Sequence, residues 1–293
     1  MLVRPLSGRP LQTPLPKGTV DTQMHMYLPG FPARPGGPDL PAGTLPDAAQ
    51  YRQIMTWLGI DRVIITQGNA HQRDNANLIA CLAAMGTVAR GVAAFGSDIS
   101  DSELDAFFAA GVVGARIMDL PGGAVRLSEL EAINDRCAAR GWMIAVQFDG
   151  THILDHEARL KSLKSRWVFD HHGKFFSGAT PDGPEIAAVK RLIDGGKCWF
   201  KFAGVYESSK NGGPDYADVA AFSRSIAAHA PERIVWGSNW PHNLAKTIED
   251  YPHDSDLTDT VLGWLPDEAA RKLALIDNPE ELYGLPPFAG GGG

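Results

Sequence analysis

An alternation running through most of its 293 residues constrains this chain more than any other feature. Short apolar runs recur at residues 19–24, 62–66, 88–93, 112–118, 142–147, 167–170, 198–203 and 233–237. Each has the length of one strand and the continuous apolar character of a strand buried on both faces. Helical periodicity fills 47–58, 73–85, 102–110, 127–140, 184–193 and 215–229, and two more helical stretches follow at 257–265 and 267–276. Asp101 or Ser102 is expected to cap the start of the third, and Gly141 the end of the fourth. Such a series belongs to the α/β class, and eight strands in one unbroken alternation predict a single (β/α)8 (TIM) barrel rather than an open sheet. The expected divisions are an N-terminal extension over 1–17, the barrel over 18–285 and a flexible tail over 286–293.

One long irregular stretch interrupts the series. Residues 27–46 hold six prolines and follow the first strand, so a barrel would carry them at its C-terminal face, where active sites form. This Pro/Gly-rich loop is expected to be a wall or lid of a pocket.

Composition narrows the partners. The net charge of −7 supplies no basic footprint for nucleic acid or for an anionic membrane surface, and no run of 18 apolar residues would span a bilayer. Cys81, Cys137 and Cys198 are far apart and form no C-x-x-C pair, which suits a reducing cytoplasm better than a disulfide scaffold. The first 17 residues lack the apolar core of a secretory signal. A small-molecule partner is expected; the oligomeric state is left open.

Polar residues at the carboxyl ends of barrel strands point into the pocket and are the first candidates for chemistry. In order these are Asp21, Gln23 and His25; Gln67 and Asn69; Arg116; Gln147; Asp170, His171 and His172; Lys201 and Tyr206; and Asn239, Trp240 and His242. A lone polar residue at a strand end is more often a satisfied hydrogen-bonding group. Polar groups at most of the strand ends are too many for a dry barrel mouth. Of His171 and His172, adjacent in sequence, one is expected in the pocket and the other against the outer helices. His71, His152, His156, His229 and His253 are expected at the surface.

Three segments resemble a known family. Asp21-Thr-Gln-Met-His25, Asp170-His-His-Gly173 and Gly237-Ser-Asn-Trp-Pro-His242 are similar to the D-x-H-x-H, strand-six and strand-eight motifs of the amidohydrolase superfamily. The stretch from Gln67 to Asn75 resembles its 2-pyrone-4,6-dicarboxylate lactonase branch. The resemblance spans residues 18 to 284 and implies a lactone as substrate.

Two positions depart from the superfamily's metal pattern, with Gln23 for the first histidine and Asn239 for the strand-eight aspartate. Neutral amides are poor zinc ligands, and Arg116 adds a positive charge, so no metal and no other cofactor is expected. Asn239 also cannot activate water near neutral pH. An intramolecular transfer needs no water. The resemblance implies a galactaro-1,5-lactone as the substrate, in a sugar-acid breakdown route, and if so its own 4-hydroxyl can attack C1 and give the 1,4-lactone. On this reading His25 or His171 moves the proton, and Arg116, with Lys201 as a second cation, holds the free carboxylate or steadies the oxyanion. Gln23, Gln67, Asn69, Gln147 and Asn239 hydrogen-bond the sugar hydroxyls, while Tyr206, Trp240 and His242 line the pocket. The alternatives are a lactonase acting on a related dicarboxylate lactone, a metal-dependent relative and a non-catalytic sugar-acid binder.

Overall fold

The computed structural model describes residues 2–289, and the glycines at 290–293 lie outside the described residues. Eight parallel strands stand in chain order: β1 Val20–Met24, β2 Arg62–Thr66, β3 Ala89–Ala93, β4 Val112–Asp119, β5 Met143–Phe148, β6 Trp167–Phe169, β7 Cys198–Phe202 and β8 Ile234–Trp236. Helices α1 Ala48–Leu58, α2 Ala76–Met85, α3 Asp101–Ala109, α4 Leu130–Ala138, α5 Ile153–Lys161, α6 Pro184–Asp194 and α7 Ala217–His229 alternate with them. After β8 come α8 Asp254–Leu262, α9 Glu268–Lys272 and α10 Asn278–Tyr283. This is the expected (β/α)8 barrel.

The seam between the first and last strands is closed just beyond β8. Asn239 N–H donates to the Gln23 carbonyl and His25 N–H to the Trp240 carbonyl, both at 2.8 Å. Asp21 ties the same seam, accepting the backbone N–H and the hydroxyl of Ser238 as well as the Tyr51 hydroxyl. Gly237 is required there, since a Cβ would lie 2.4 Å from that of Gln23.

Alternation along the strands builds the site's floor. Val20, Ile64, Val92, Ala145, Val168, Trp199 and Val235 form an apolar layer inside the barrel, on which Leu282 and Tyr283 of α10 are packed. Two residues further along the same faces stand Thr66, Gln147 and Lys201, so the polar layer lies above the apolar one. The outward residues, among them Ile65, Ile117, Val146 and Phe200, join the helices in the main core.

Local differences have local causes. Helix α5 was not anticipated because only Ile153 and Leu160 of its nine residues are buried, leaving a weak apolar stripe. The cap of α3 is Ser100 rather than Asp101 or Ser102, through a capping box with Glu103. No described helix is long and apolar enough to cross a membrane.

Candidate active site

Six of the expected residues share one cavity of about 420 Å³ at the C-terminal mouth: His25, Asn69, Arg116, Gln147, His171 and Asn239. The Pro/Gly-rich loop supplies part of its wall through Gly36, Gly37, Pro38 and Asp39. That loop is pinned at both ends and in the middle: Tyr27 N–H donates to the Pro46 carbonyl at 2.9 Å, Arg34 N–H donates to the Ala70 carbonyl at 2.7 Å, and Arg34 is ion-paired with Asp74. His71 belongs to the same fastening. Contrary to the surface position expected of it, it is buried against the Tyr27 ring, with Nε2 3.0 Å from the Phe31 carbonyl.

Arg116 is a buried cation bonded to neutral groups. Nη1 donates to the Gln67 carbonyl at 2.9 Å and Nη2 to Oε1 of Gln147 at 3.0 Å, while Nε has no partner. No described carboxylate is hydrogen-bonded to it. Burial lowers its pKa, with nearby Asp170 acting in the opposite sense.

His25 is neutral. Its Nδ1–H donates to the Thr66 carbonyl at 2.8 Å, which leaves Nε2 as the acceptor. Burial first, and then the charge of Arg116, push its pKa down to about 3.

His171 and Asn239 adopt left-handed backbone, with φ of 49° and 59°. Such conformations cost on the order of 1 kcal/mol each for residues other than glycine and persist only where the surroundings demand them. Here they bring Nε2 of His171 to 3.2 Å from Oδ1 of Asn239. The neighbouring His172 faces the outer shell, with Nδ1 2.9 Å from the Ser223 hydroxyl on α7.

The remaining expected residues lie behind the wall. Lys201 is fully enclosed beneath the cavity, paired with Asp170 at 2.7 Å and donating to Oε1 of Gln23 at 3.0 Å, so neither Lys201 nor Gln23 lines it. Asp170 stays ionised: burial raises its pKa, but the Lys201 ammonium outweighs this and holds it far below the usual range. Gln67 points away from the cavity and ties down the following loop through the carbonyls of Gln72 and Asp74. Trp240 is buried against Tyr51. Tyr206 and His242 are bonded to each other at 2.8 Å and do not line the cavity.

Sequence reasoning missed Tyr27, Asn243 and Glu207, all on the cavity wall. Glu207 corrects the picture of a purely neutral row of amides. It stands next to Tyr206 in sequence, but its direction depends on the short 3-10 turn Val205–Glu207, which starts from the left-handed Gly204.

The chain belongs to the amidohydrolase family, whose sequence profile matches residues 19–285. It is 63% identical to the D-galactarolactone isomerase of Agrobacterium fabrum over 286 residues, 98% of each chain. It is 29% identical to a 2-pyrone-4,6-dicarboxylate hydrolase of Comamonas testosteroni over 288 residues, 93% of this chain and 92% of that one. A crystal structure of an Agrobacterium tumefaciens protein without ligand, 62% identical, matches with a TM-score of 0.95 over 97% of this chain and 100% of that one.

The metal set of the superfamily does not fit these residues. The Gln23 oxygen is occupied by the Lys201 ammonium, and the Asn239 oxygen faces Nε2 of His171 at 3.2 Å; both are neutral amide oxygens, poor ligands for zinc. Among the described residues no three His, Cys, Asp or Glu side chains converge to hold an ion.

Proposed function

We propose that this chain isomerises D-galactaro-1,5-lactone to D-galactaro-1,4-lactone by intramolecular acyl transfer, without a metal. The observation that carries the reading is the full-length identity of 63% with a D-galactarolactone isomerase. The site supports it through Arg116, a buried cation on the cavity wall with no described carboxylate bonded to it. A buried charge is costly unless paired, so the cavity favours a ligand that brings one carboxylate. The C6 carboxylate of the lactone is that group.

The chemistry is a rearrangement in which O4 attacks C1, the O4–C1 bond forms and the C1–O5 bond breaks. One proton passes from O4 to O5, and no water is consumed. A tethered hydroxyl in the right geometry has an effective molarity of about 10⁵ M or more. His25 is the proton carrier, taking the hydrogen of O4 on Nε2 and returning it to O5. Its low pKa in the free protein is partly the work of Arg116, and the substrate carboxylate offsets that charge. Binding therefore makes His25 a stronger base. Tyr27 accepts from Asn243 at 2.9 Å, and burial raises its pKa, so its own O–H is kept as a donor for the oxyanion at C1, beside the amide nitrogen of Gln147.

One observation favours hydrolysis as a second reading. Glu207 is a carboxylate on the cavity wall and could activate water. Against this, it is bonded to Lys174 and Asn239, which leaves it a weak base. Proton NMR of galactaro-1,5-lactone with the protein, with and without EDTA, tests both readings. The expected first product is the 1,4-lactone at a rate that EDTA does not change. Open galactarate as the first product would establish the lactonase reading instead.

A further inference from the structure

The Asn239 amide is gripped on one side by two acceptors. Nδ2 donates to Oε1 of Glu207 at 2.9 Å and to the Tyr206 hydroxyl oxygen at 2.8 Å. Tyr206 is itself committed. Nε2 of His242 is 2.9 Å from Oδ1 of Asp254, so its hydrogen lies there and Nδ1 accepts from the Tyr206 O–H at 2.8 Å. Both neighbours therefore require the nitrogen of the amide, and Oδ1 is left to face Nε2 of His171 at 3.2 Å.

Shape alone would not impose this, because the two ends of an amide are nearly alike in size. Charge does. Burial raises the pKa of Glu207, yet the Lys174 ammonium holds it down to about 2, so it accepts hydrogen bonds and donates none. Its other oxygen takes the Lys174 ammonium. Gly204 makes the approach possible: a Cβ there would lie 2.7 Å from Nδ2 of Asn239 and 2.8 Å from the His171 ring.

We infer that Glu207 is a positioning residue for the rearrangement: it turns the Asn239 amide so that oxygen faces His171 and accepts the hydrogen on Nε2, whereas Nδ1 has only the Asp170 carboxylate at 3.7 Å, beyond hydrogen-bond distance. The inference rests on the isomerase reading. With the amide reversed, nitrogen would face Nε2, the hydrogen would move to Nδ1, and the Asn239 oxygen would be withdrawn from the cavity wall.

Three variants and two readouts test this. In Glu207→Gln one oxygen must serve two donors, Lys174 and Asn239, so the amide loses its fixed sense; kcat is expected to fall about 100-fold, with KM within about threefold. Asn239→Asp faces Glu207 with a second carboxylate and is expected to fall at least as far. The double variant restores a donor opposite an acceptor, and its kcat should recover about 10-fold or more over Asn239→Asp. Long-range proton–nitrogen NMR of the histidine rings should place the His171 hydrogen on Nε2 in the wild type and shift it in Glu207→Gln. The inference is overturned if Glu207→Gln keeps wild-type kcat and an unchanged His171 ring, or if the double variant is no better than Asn239→Asp. A wild-type protein inert toward the 1,5-lactone would sink the isomerase reading, while the ring NMR would still decide whether Glu207 orients Asn239. If Glu207→Gln does not fold, Glu207→Gln/Lys174→Met removes the unpaired ammonium and takes its place.

Discussion

Nη2 of Arg116 donates to Oε1 of Gln147 at 3.0 Å, and that bond sets the sense of both side chains. The Gln147 oxygen is spent on the guanidinium, so its amide nitrogen is the end left for the cavity. Arg116, held by Gln147 and by the Gln67 carbonyl, keeps an Nη2 hydrogen for a ligand. A cation and a neutral donor thus stand side by side with fixed roles, which suits a carboxylate next to a polar carbonyl.

Arg116→Met should lower kcat/KM for the 1,5-lactone by about 10³, since removing one partner of a buried charge pair costs about 2–5 kcal/mol. Steady-state kinetics checks it. Unchanged KM and kcat would remove the carboxylate clamp from the mechanism.

Gln147→Leu loses one neutral donor and leaves Arg116 without one of its acceptors. The expected fall in kcat/KM is about 10–100-fold, in line with about 1–3 kcal/mol for an unsatisfied buried group. A larger fall in kcat than in kcat/KM would point away from a role confined to the transition state.

His25→Asn should abolish most turnover, with about a 10³-fold loss, while His171→Asn should cost less because that ring does not carry the proton. The pH profile separates the two. His25 is neutral above about 3, so kcat/KM should show no break near 6.5 and should hold from pH 8 down to 5. In kcat the break should lie higher, because bound carboxylate offsets Arg116. A break in kcat/KM near 6.5 would transfer the role to another histidine.

Acid should loosen the fold through His25 and His172. Burial pushes both down to about 3. A ring with a lowered folded pKa stabilises the protein fully above its unfolded value of about 6.5, and that contribution is lost as pH falls toward 3. At pH 5 each ring accounts for about 2 kcal/mol, read as a fall in Tm between pH 7 and 5. His172→Phe, which can keep the stack on Phe202, should show a shallower fall. An identical slope in that variant would exclude His172 as a source of the acid sensitivity.

The barrel was legible because strand and helix periods are local properties of a chain. Strand ends such as Thr66, Gln147 and Lys201 follow from counting two residues along one face, and the sequence marks them without reference to neighbours. Helix α5 escaped because its apolar stripe is thin, although the barrel's symmetry requires an element there. The absence of a metal-type carboxylate at Asn239 was equally plain from one letter.

Whether a strand-end side chain meets the ligand was decided by tertiary contacts. Lys201 looked like a substrate cation, but Asp170, the residue just past the adjacent strand β6, neutralises it beneath the floor. Gln67 looked like a sugar ligand, but its loop's carbonyls claim the amide. Glu207 enters the cavity only because Gly204 takes a left-handed turn and Lys174, from another loop, stabilises its charge. The sequence by itself determined the fold, the family and which groups are present. The tertiary structure decided which of them are satisfied by protein and which remain for substrate, because hydrogen bonds and ion pairs between distant segments depend on distances that no local pattern encodes.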